Sequence, residues 1–207
     1  MGKCVIIGGA DIKEYEKIKD YINDGDFIIC CDCGMRHTEK LLVKPDLIVG
    51  DFDSSENPDL DVETIVLPRE KDDTDTVFAV KEAVKRGFEK FLLVGVIGER
   101  FDHSMGNVSI LLYLDSQGKF AKIVDDFSEM EIVSDKVSYV DGSFKYFSLL
   151  NISGIADGIT VRGAKYPLEN ASVSCEYQYG ISNEVLPGET AEISVKNGRL
   201  LLVKVKI

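Results

Sequence analysis

The feature that most constrains this chain is a change of style near residue 125. Before it, apolar runs at 3–7, 27–31, 47–49, 62–67, 91–94 and 120–124 alternate with stretches of helical spacing. Strands apolar at nearly every position are buried on both faces, which predicts an α/β N-terminal domain with a mostly parallel sheet. The helical stretches are 12–22 (Ile12, Tyr15, Ile18 and Ile22 on one face), a short one at 35–43, then 73–86 (Val77, Val80, Val84) and 103–116 (Val108, Leu111, Leu112). Gly87 and Gly118 end the last two.

Beyond Asp126 only short strands follow, at 131–133, 136–140, 147–152, 158–162, 171–176, 191–195 and 200–205. Turn residues separate them, and no helical periodicity interrupts them. This predicts an all-β C-terminal antiparallel sandwich, with Asn197-Gly198 as a tight hairpin turn between its last two strands. The expected domains are 1–125 and 126–207, abutting without a low-complexity linker.

Bulk properties exclude several classes. Hydrophobic residues at 44% and charged ones at 29% of 207 residues fit globular domains large enough for proper cores. A net charge of -12 opposes nucleic-acid binding, which needs a basic surface. No apolar run reaches the ~18 to 20 residues of a membrane span. Residues 1–7 are too short, and too soon broken by Gly8-Gly9, to read as a signal peptide, so the cytoplasm is the expected compartment. The odd count of five cysteines agrees with a reducing environment. Cys30 and Cys33 form a C-x-x-C, but His37 and His103 are the only histidines and no second ligand pair has zinc-finger spacing. Cys30 and Cys31 are therefore expected as buried strand residues rather than metal or redox groups.

Three polar clusters fall where a parallel sheet collects ligands, outside the carboxyl ends of its strands. Asp51 and Asp53 follow the run 47–49; two apart in extended chain, they point the same way, as a hard cation such as magnesium would require. A polar turn explains them equally well. Lys71-Asp72-Asp73-Thr74-Asp75-Thr76 opens a helix, where Asp72 or Asp73 would serve as a cap, yet a lysine among three acids also suits phosphate with metal. Arg100 and Asp102, in Gly98-Glu99-Arg100-Phe101-Asp102-His103, repeat the two-residue spacing. Either they form a salt bridge with Asp102 as a cap, or Arg100 clamps phosphate with its planar fork. No Walker-type loop occurs in the chain.

Taken in order, several segments resemble the thiamine pyrophosphokinase family. They are Cys31-Asp32-Cys33-Gly34, Pro45-Asp46-Leu47-Ile48-Val49-Gly50-Asp51-Phe52-Asp53-Ser54, Lys71-Asp72-Asp73-Thr74-Asp75, and Gly98-Glu99-Arg100-Phe101-Asp102-His103 with Asn107. In the second half, Gly163-Ala164-Lys165-Tyr166-Pro167-Leu168 and Gly180-Ile181-Ser182-Asn183-Glu184 continue the similarity. The resemblance implies transfer of the pyrophosphoryl group of ATP to thiamine, giving thiamine diphosphate and AMP. It implies Mg2+ held by Asp51, Asp53 and Asp75, and a nucleotide site of Asp32, Lys71, Asp72, Thr74, Arg100 and Asp102. It further implies a thiamine pocket using Ser182 and Asn183, with Tyr166 as an aromatic wall, and a homodimer with active sites at the interface. Tyr166 has sandwich core as its alternative place, and His103 reads as a helix-start residue. One departure stands out: Cys33 occupies a position where the family usually has glycine, which puts the nucleotide pose in question.

The alternatives are a pyrophosphokinase for another hydroxymethyl acceptor such as a pterin, a metal-dependent phosphohydrolase, and a non-catalytic vitamin-binding protein. Acidic clusters alone do not separate transfer from hydrolysis. The Tyr166 and Ser182-Asn183 segments favour thiamine over a pterin, and the charged set in the first half exceeds what mere binding needs.

Overall fold

The computed structural model describes residues 2–51, 61–70 and 72–206. The chain divides into two compact units, Met1–Asp126 and Phe127–Ile207. The strands of the first unit are β1 (Cys4–Ile7), β2 (Phe27–Cys31), β3 (Leu47–Gly50), β4 (Glu63–Val66), β5 (Lys90–Val94) and β6 (Phe120–Val124). They pair in parallel in the order β6-β5-β1-β2-β3-β4. Except at the edge strand β4, whose residues are exposed or half-buried, the apolar runs become strands because both faces are covered. Val5, Ile7, Ile28, Cys30, Leu92 and Val94 form one cluster with Ile12, Ile18 and Leu41. The alternate residues Ile6, Ile29, Leu93 and Ile123 point the other way and are equally out of solvent.

Helices α1 (Tyr15–Lys19), α2 (Thr38–Leu41), α3 (Asp75–Lys85) and α4 (Phe101–Ser116) connect the strands, with a 3-10 helix at Asp32–His37. The stretch 12–22 contains a shorter α-helix than its periodicity predicts. Its leading N–H groups, of Lys13 and Glu14, donate to the Asp126 carboxylate at 3.0 and 2.9 Å. Past Lys19 the chain tightens, with Tyr21 and Ile22 donating to the carbonyls three residues back. The stretch 35–43 likewise divides between the 3-10 helix and α2, and Leu42 ends it in the left-handed region at φ 59°. The cap of α3 is Thr74, whose hydroxyl accepts from Val77 N at 3.3 Å, rather than Asp72 or Asp73. Asp73 instead pairs with Lys81 at 2.6 Å. The buried stripe of α3 is Ala79, Val80 and Ala83, so small side chains bring it close against β1, β2 and β3.

The second unit contains β7 (Ser128–Val133), β8 (Ser138–Val140), β9 (Tyr146–Asn151), β10 (Ile155–Arg162), β11 (Leu168–Ser174), β12 (Gly180–Asn183), β13 (Ala191–Ser194) and β14 (Leu200–Val205). Antiparallel pairing sets them in the orders β12-β9-β14-β7 and β11-β10-β13-β8. Val133, Phe147, Leu149, Leu200 and Leu202 of the first set pack with Val140, Ile159, Val161, Val173 and Ile193 of the second in one core. Asn197-Gly198 is not a hairpin turn, because β13 and β14 belong to different layers. The turn passes the chain across the sandwich, held by Asn197 N donating to Asp157 O at 3.1 Å. The inward apolar faces of the two strands set them in opposite layers instead of pairing them.

Candidate active site

The strand order reverses between β1 and β5, since β2, β3 and β4 extend to one side of β1 while β5 and β6 lie on the other. At such a switch point the loops leaving the two strands diverge and open a crevice at their carboxyl ends. A cleft of ≈ 660 Å³ lies there. The loop after β1 contributes Gly9, Ala10 and Asp11; the end of β2 contributes Asp32, Cys33 and Arg36. Thr74, Asp75 and Thr76 come from the start of α3, and Glu99, Arg100 and His103 from the loop after β5 and the start of α4.

Local packing accounts for these placements. The 3-10 helix presses against β1 so closely that a Cβ on Gly34 would lie 2.1 Å from the Ile7 carbonyl oxygen. Only glycine fits there, and the helix therefore turns at the lip of the cleft. Asp32 sits at φ 30°, and its Cβ lies 3.0 Å from where a Cβ on Gly50 would be, which sets it over the end of β3 beside Asp51. Ser104 and Asn107 of α4 hold the loop after β5: Ser104 Oγ accepts from Gly98 N at 3.0 Å, and Asn107 Nδ2 donates to Val96 O at 2.8 Å.

Several expected site residues converge on the cleft: Asp32, Thr74, Asp75 and Arg100 line it. Asp51 follows β3, next to β2 in the sheet, and is half-buried. Asp72 is exposed ahead of the Thr74 cap. Asp53 and Lys71 lie outside the described residues. Arg100 and Asp102 form the salt bridge weighed from the sequence, with two contacts of 2.6 and 2.9 Å. The guanidinium holds the Asp102 carboxyl well below the usual carboxylate range, and Arg100 is raised in turn. Asp102 is not the cap of α4, since it stands within the first turn. His103, the third residue of that helix, is exposed at the cleft.

Cys33, at the position where the resemblance leads to an expectation of glycine, lines the cleft. Its Sγ donates to Asp32 Oδ2 at 3.3 Å, and its Cβ would come 2.7 Å from one on Gly9. The residue in the left-handed region is Asp32, not Cys33, so the backbone admits the cysteine while Gly9 leaves it room. Cys30 and Cys31 are buried as expected, and burial pushes the Cys30 thiol up to about 12 and raises Cys31 as well. Gly9, Ala10, Asp11, Arg36 and Glu99 were not singled out from the sequence. The available signal was Gly8-Gly9 at the carboxyl end of the first strand.

In the second unit Tyr166 is 60% exposed and is therefore not sandwich core. Its main chain is clamped by Asn183, which is 8% exposed. Asn183 Oδ1 accepts from Tyr166 N at 3.0 Å and Glu184 N at 2.9 Å, while Nδ2 donates to Tyr166 O at 2.8 Å. Both ends of the amide thus serve the backbone that presents the tyrosine. Ser182 and Asn183 lie on the edge strand β12. Ser182, at φ 58°, breaks the register with β9, and its N–H donates to Ser148 Oγ at 3.0 Å.

Residues 18–123 match the family described as thiamin pyrophosphokinase, catalytic domain. Residues 131–200 match thiamin pyrophosphokinase, vitamin B1 binding domain. Thiamine pyrophosphokinase of Bacillus subtilis (strain 168) is 26% identical over 163 residues, covering 75% of this chain and 76% of that protein. A crystal structure of thiamin pyrophosphokinase from Geobacillus thermodenitrificans superposes with a TM-score of 0.82 at 27% identity, covering 99% of this chain and 97% of the other. The yeast enzyme, at 16% identity and a TM-score of 0.75 over 99% and 86% of the two chains, shares the fold. With the catalytic-domain match spanning more than half its length, this chain belongs to the thiamin pyrophosphokinase family.

Proposed function

We propose that this enzyme transfers the pyrophosphoryl group of ATP to thiamine, giving thiamine diphosphate and AMP, with the cleft of the first unit as its nucleotide site. The observation that carries this reading is the matched catalytic domain coinciding with a switch-point cleft that brings Asp32, Thr74, Asp75 and Arg100 together. Nothing favours a pterin acceptor or hydrolysis, since both matched domains are those of thiamin pyrophosphokinases.

In this reaction the hydroxyethyl oxygen of thiamine attacks the β-phosphorus and AMP leaves. The work left to the protein is positioning and charge neutralisation. Arg100 offers a planar fork to phosphate oxygens, exchanging its contacts with Asp102 for contacts with substrate. Thr74 and Thr76 offer hydroxyls, Asp32 and Asp72 flank the nucleotide, and Lys71 adds a cation to the same segment.

Mg2+ fits the donor chemistry. Asp51 and Asp75 offer hard carboxylate oxygens, one of them, Asp75 Oδ1, out of bulk solvent. No group of three or more such side chains is gathered among the described residues. The ion commonly completes its shell with water and substrate phosphates, and Asp53 is the remaining protein ligand in this assignment. When bound, Mg2+ offsets the charge of the polyphosphate.

The second unit supplies the thiamine pocket in this reading, with Tyr166 as an aromatic wall for the cationic ring, Asn183 holding it in place and Ser182 beside it. We assign a homodimeric state with active sites at the interface. Exposed apolar residues at the first turns of α4, Phe101 at 74% and Met105 at 46%, support it. Mixing inactive Asp51→Asn chains with Tyr166→Ala chains should then restore about a quarter of wild-type sites under random pairing. No recovery after proven exchange would place each site within one chain. The five described cysteines are all free thiols, and no described helix is long and apolar enough to cross a membrane; the cytoplasm fits both.

The decisive assay incubates the protein with ATP, magnesium and either thiamine, a hydroxymethyl pterin or no acceptor. AMP and thiamine diphosphate formed only with thiamine are expected. Phosphate or AMP released without acceptor would make it a hydrolase.

A further inference from the structure

His37 is the buried titratable group that the reaction above does not use. It is 2% exposed, and both ring nitrogens are engaged. Nε2 lies 3.0 Å from the Ala10 carbonyl oxygen, which only accepts, and 3.4 Å from Arg36 Nε, which only donates; the shorter contact places the proton on Nε2. Nδ1 then accepts from the Tyr15 hydroxyl at 2.7 Å. An apolar residue would fill the same space without needing two polar partners. The carbonyl that His37 holds belongs to the loop lining the cleft.

The neighbouring side chain does the same for the preceding peptide. Arg36 donates to the Gly9 carbonyl and pairs with Asp11 at 2.7 Å. On its other side the loop is tied to the strand across the crevice, with Gly8 N donating to Val94 O at 2.9 Å and Ala10 N to Gly95 O at 2.8 Å. Unpaired carbonyl oxygens beside a polyphosphate would repel it. Here two consecutive carbonyls are occupied by donors from the 3-10 helix, which leaves the loop a defined shape.

We propose that His37 is a positioning residue for the nucleotide: its neutral ring, backed by Tyr15, sets the Ala10 carbonyl and so fixes the 8–11 loop against which ATP binds. The inference rests on the cleft being the ATP site and names how this chain preorganises it. The charged and titratable groups facing the ring are Arg36, Asp11, Lys40 and Tyr15.

The test compares full-length wild type with His37→Leu, His37→Gln and Tyr15→Phe, measuring direct ATP binding alongside KM for ATP, KM for thiamine and kcat. His37→Leu is expected to weaken ATP binding about fivefold to tenfold, the effect of one lost positioning hydrogen bond, while KM for thiamine stays within about twofold. His37→Gln, which keeps an N–H for Ala10, should recover most of that loss; no recovery would reduce the histidine to filler. Folded His37→Leu with wild-type ATP affinity overturns the proposal. Should His37→Leu fail to fold, Tyr15→Phe and the ring nitrogen chemical shifts of wild-type His37 decide. A proton on Nδ1, or unchanged ATP affinity in Tyr15→Phe, overturns it. Wild type that binds ATP without thiamine-dependent AMP defeats the proposed reaction alone, whereas wild type that binds no ATP defeats both.

Discussion

The carboxyl ends of β1, β2 and β5 and the edge strand β12 both carry polar residues that look functional, yet the two regions use them differently. Around the cleft, groups that hold the backbone stand among others that face the opening. Ser104, Asn107 and Arg36 hold loops in place and also line the opening, beside Asp32, Asp75 and Arg100, while His37 holds a loop without lining it. At β12 the polar group works on the chain itself, since the Asn183 amide bonds the backbone of Tyr166 and Glu184.

The sharpest way to break this contrast is Asp75→Asn. If the cleft carboxylates act on charge, turnover should fall by about 10²-fold or more, the scale of losing one electrostatic stabiliser, with the fold intact. An asparagine variant with near-normal turnover at limiting magnesium would place the metal elsewhere.

Asn183→Ala should do the opposite kind of damage. Removing an amide that satisfies three partly buried backbone contacts is expected to cost about 1 kcal/mol in urea unfolding. KM for thiamine should rise through the loosened Tyr166, with KM for ATP unchanged. Unaltered stability with a raised KM would instead make Asn183 a direct contact.

Arg100→Lys should lower turnover about tenfold, because an ammonium does not reproduce the two parallel contacts of a guanidinium. The pair with Asp102 is solvent-exposed, so the thermal midpoint should hardly move. A large drop in midpoint with activity per folded molecule preserved would make the pair purely structural.

The smallest effect concerns pH. Burial first, then Arg36, lower the His37 pKa from its usual value, with Lys40 adding to this and the Ala10 carbonyl and Asp11 opposing it. The unfolded chain therefore takes up this proton first. The stability contribution is full above about pH 6.5, declines as pH falls through that value, and levels off below the folded pKa. Urea midpoints of wild type should drop between pH 7.5 and 5.5 by slightly more than those of His37→Gln; equal drops would leave His37 untitrated in this range.

Much of this was legible in the residues themselves. Runs such as 27–31 and 91–94, apolar at nearly every position, have only one stable use, a strand covered on both faces, and the clusters at Asp51, Asp75 and Arg100 stand directly beyond such runs. Local spacing also determined that the second half would be strands, because no apolar period of 3.6 survives there. Which strands adjoin was decided only in three dimensions. The reversal of order between β1 and β5 locates the cleft, and it arises from crossovers that no local pattern encodes. The same holds for Asp126, which ends up satisfying N–H groups more than a hundred residues away, for β13 and β14 parting across Asn197-Gly198, and for His37 reaching Ala10. Periodicity reports how each segment meets its own surroundings; partners distant in sequence are selected by the packing of the whole.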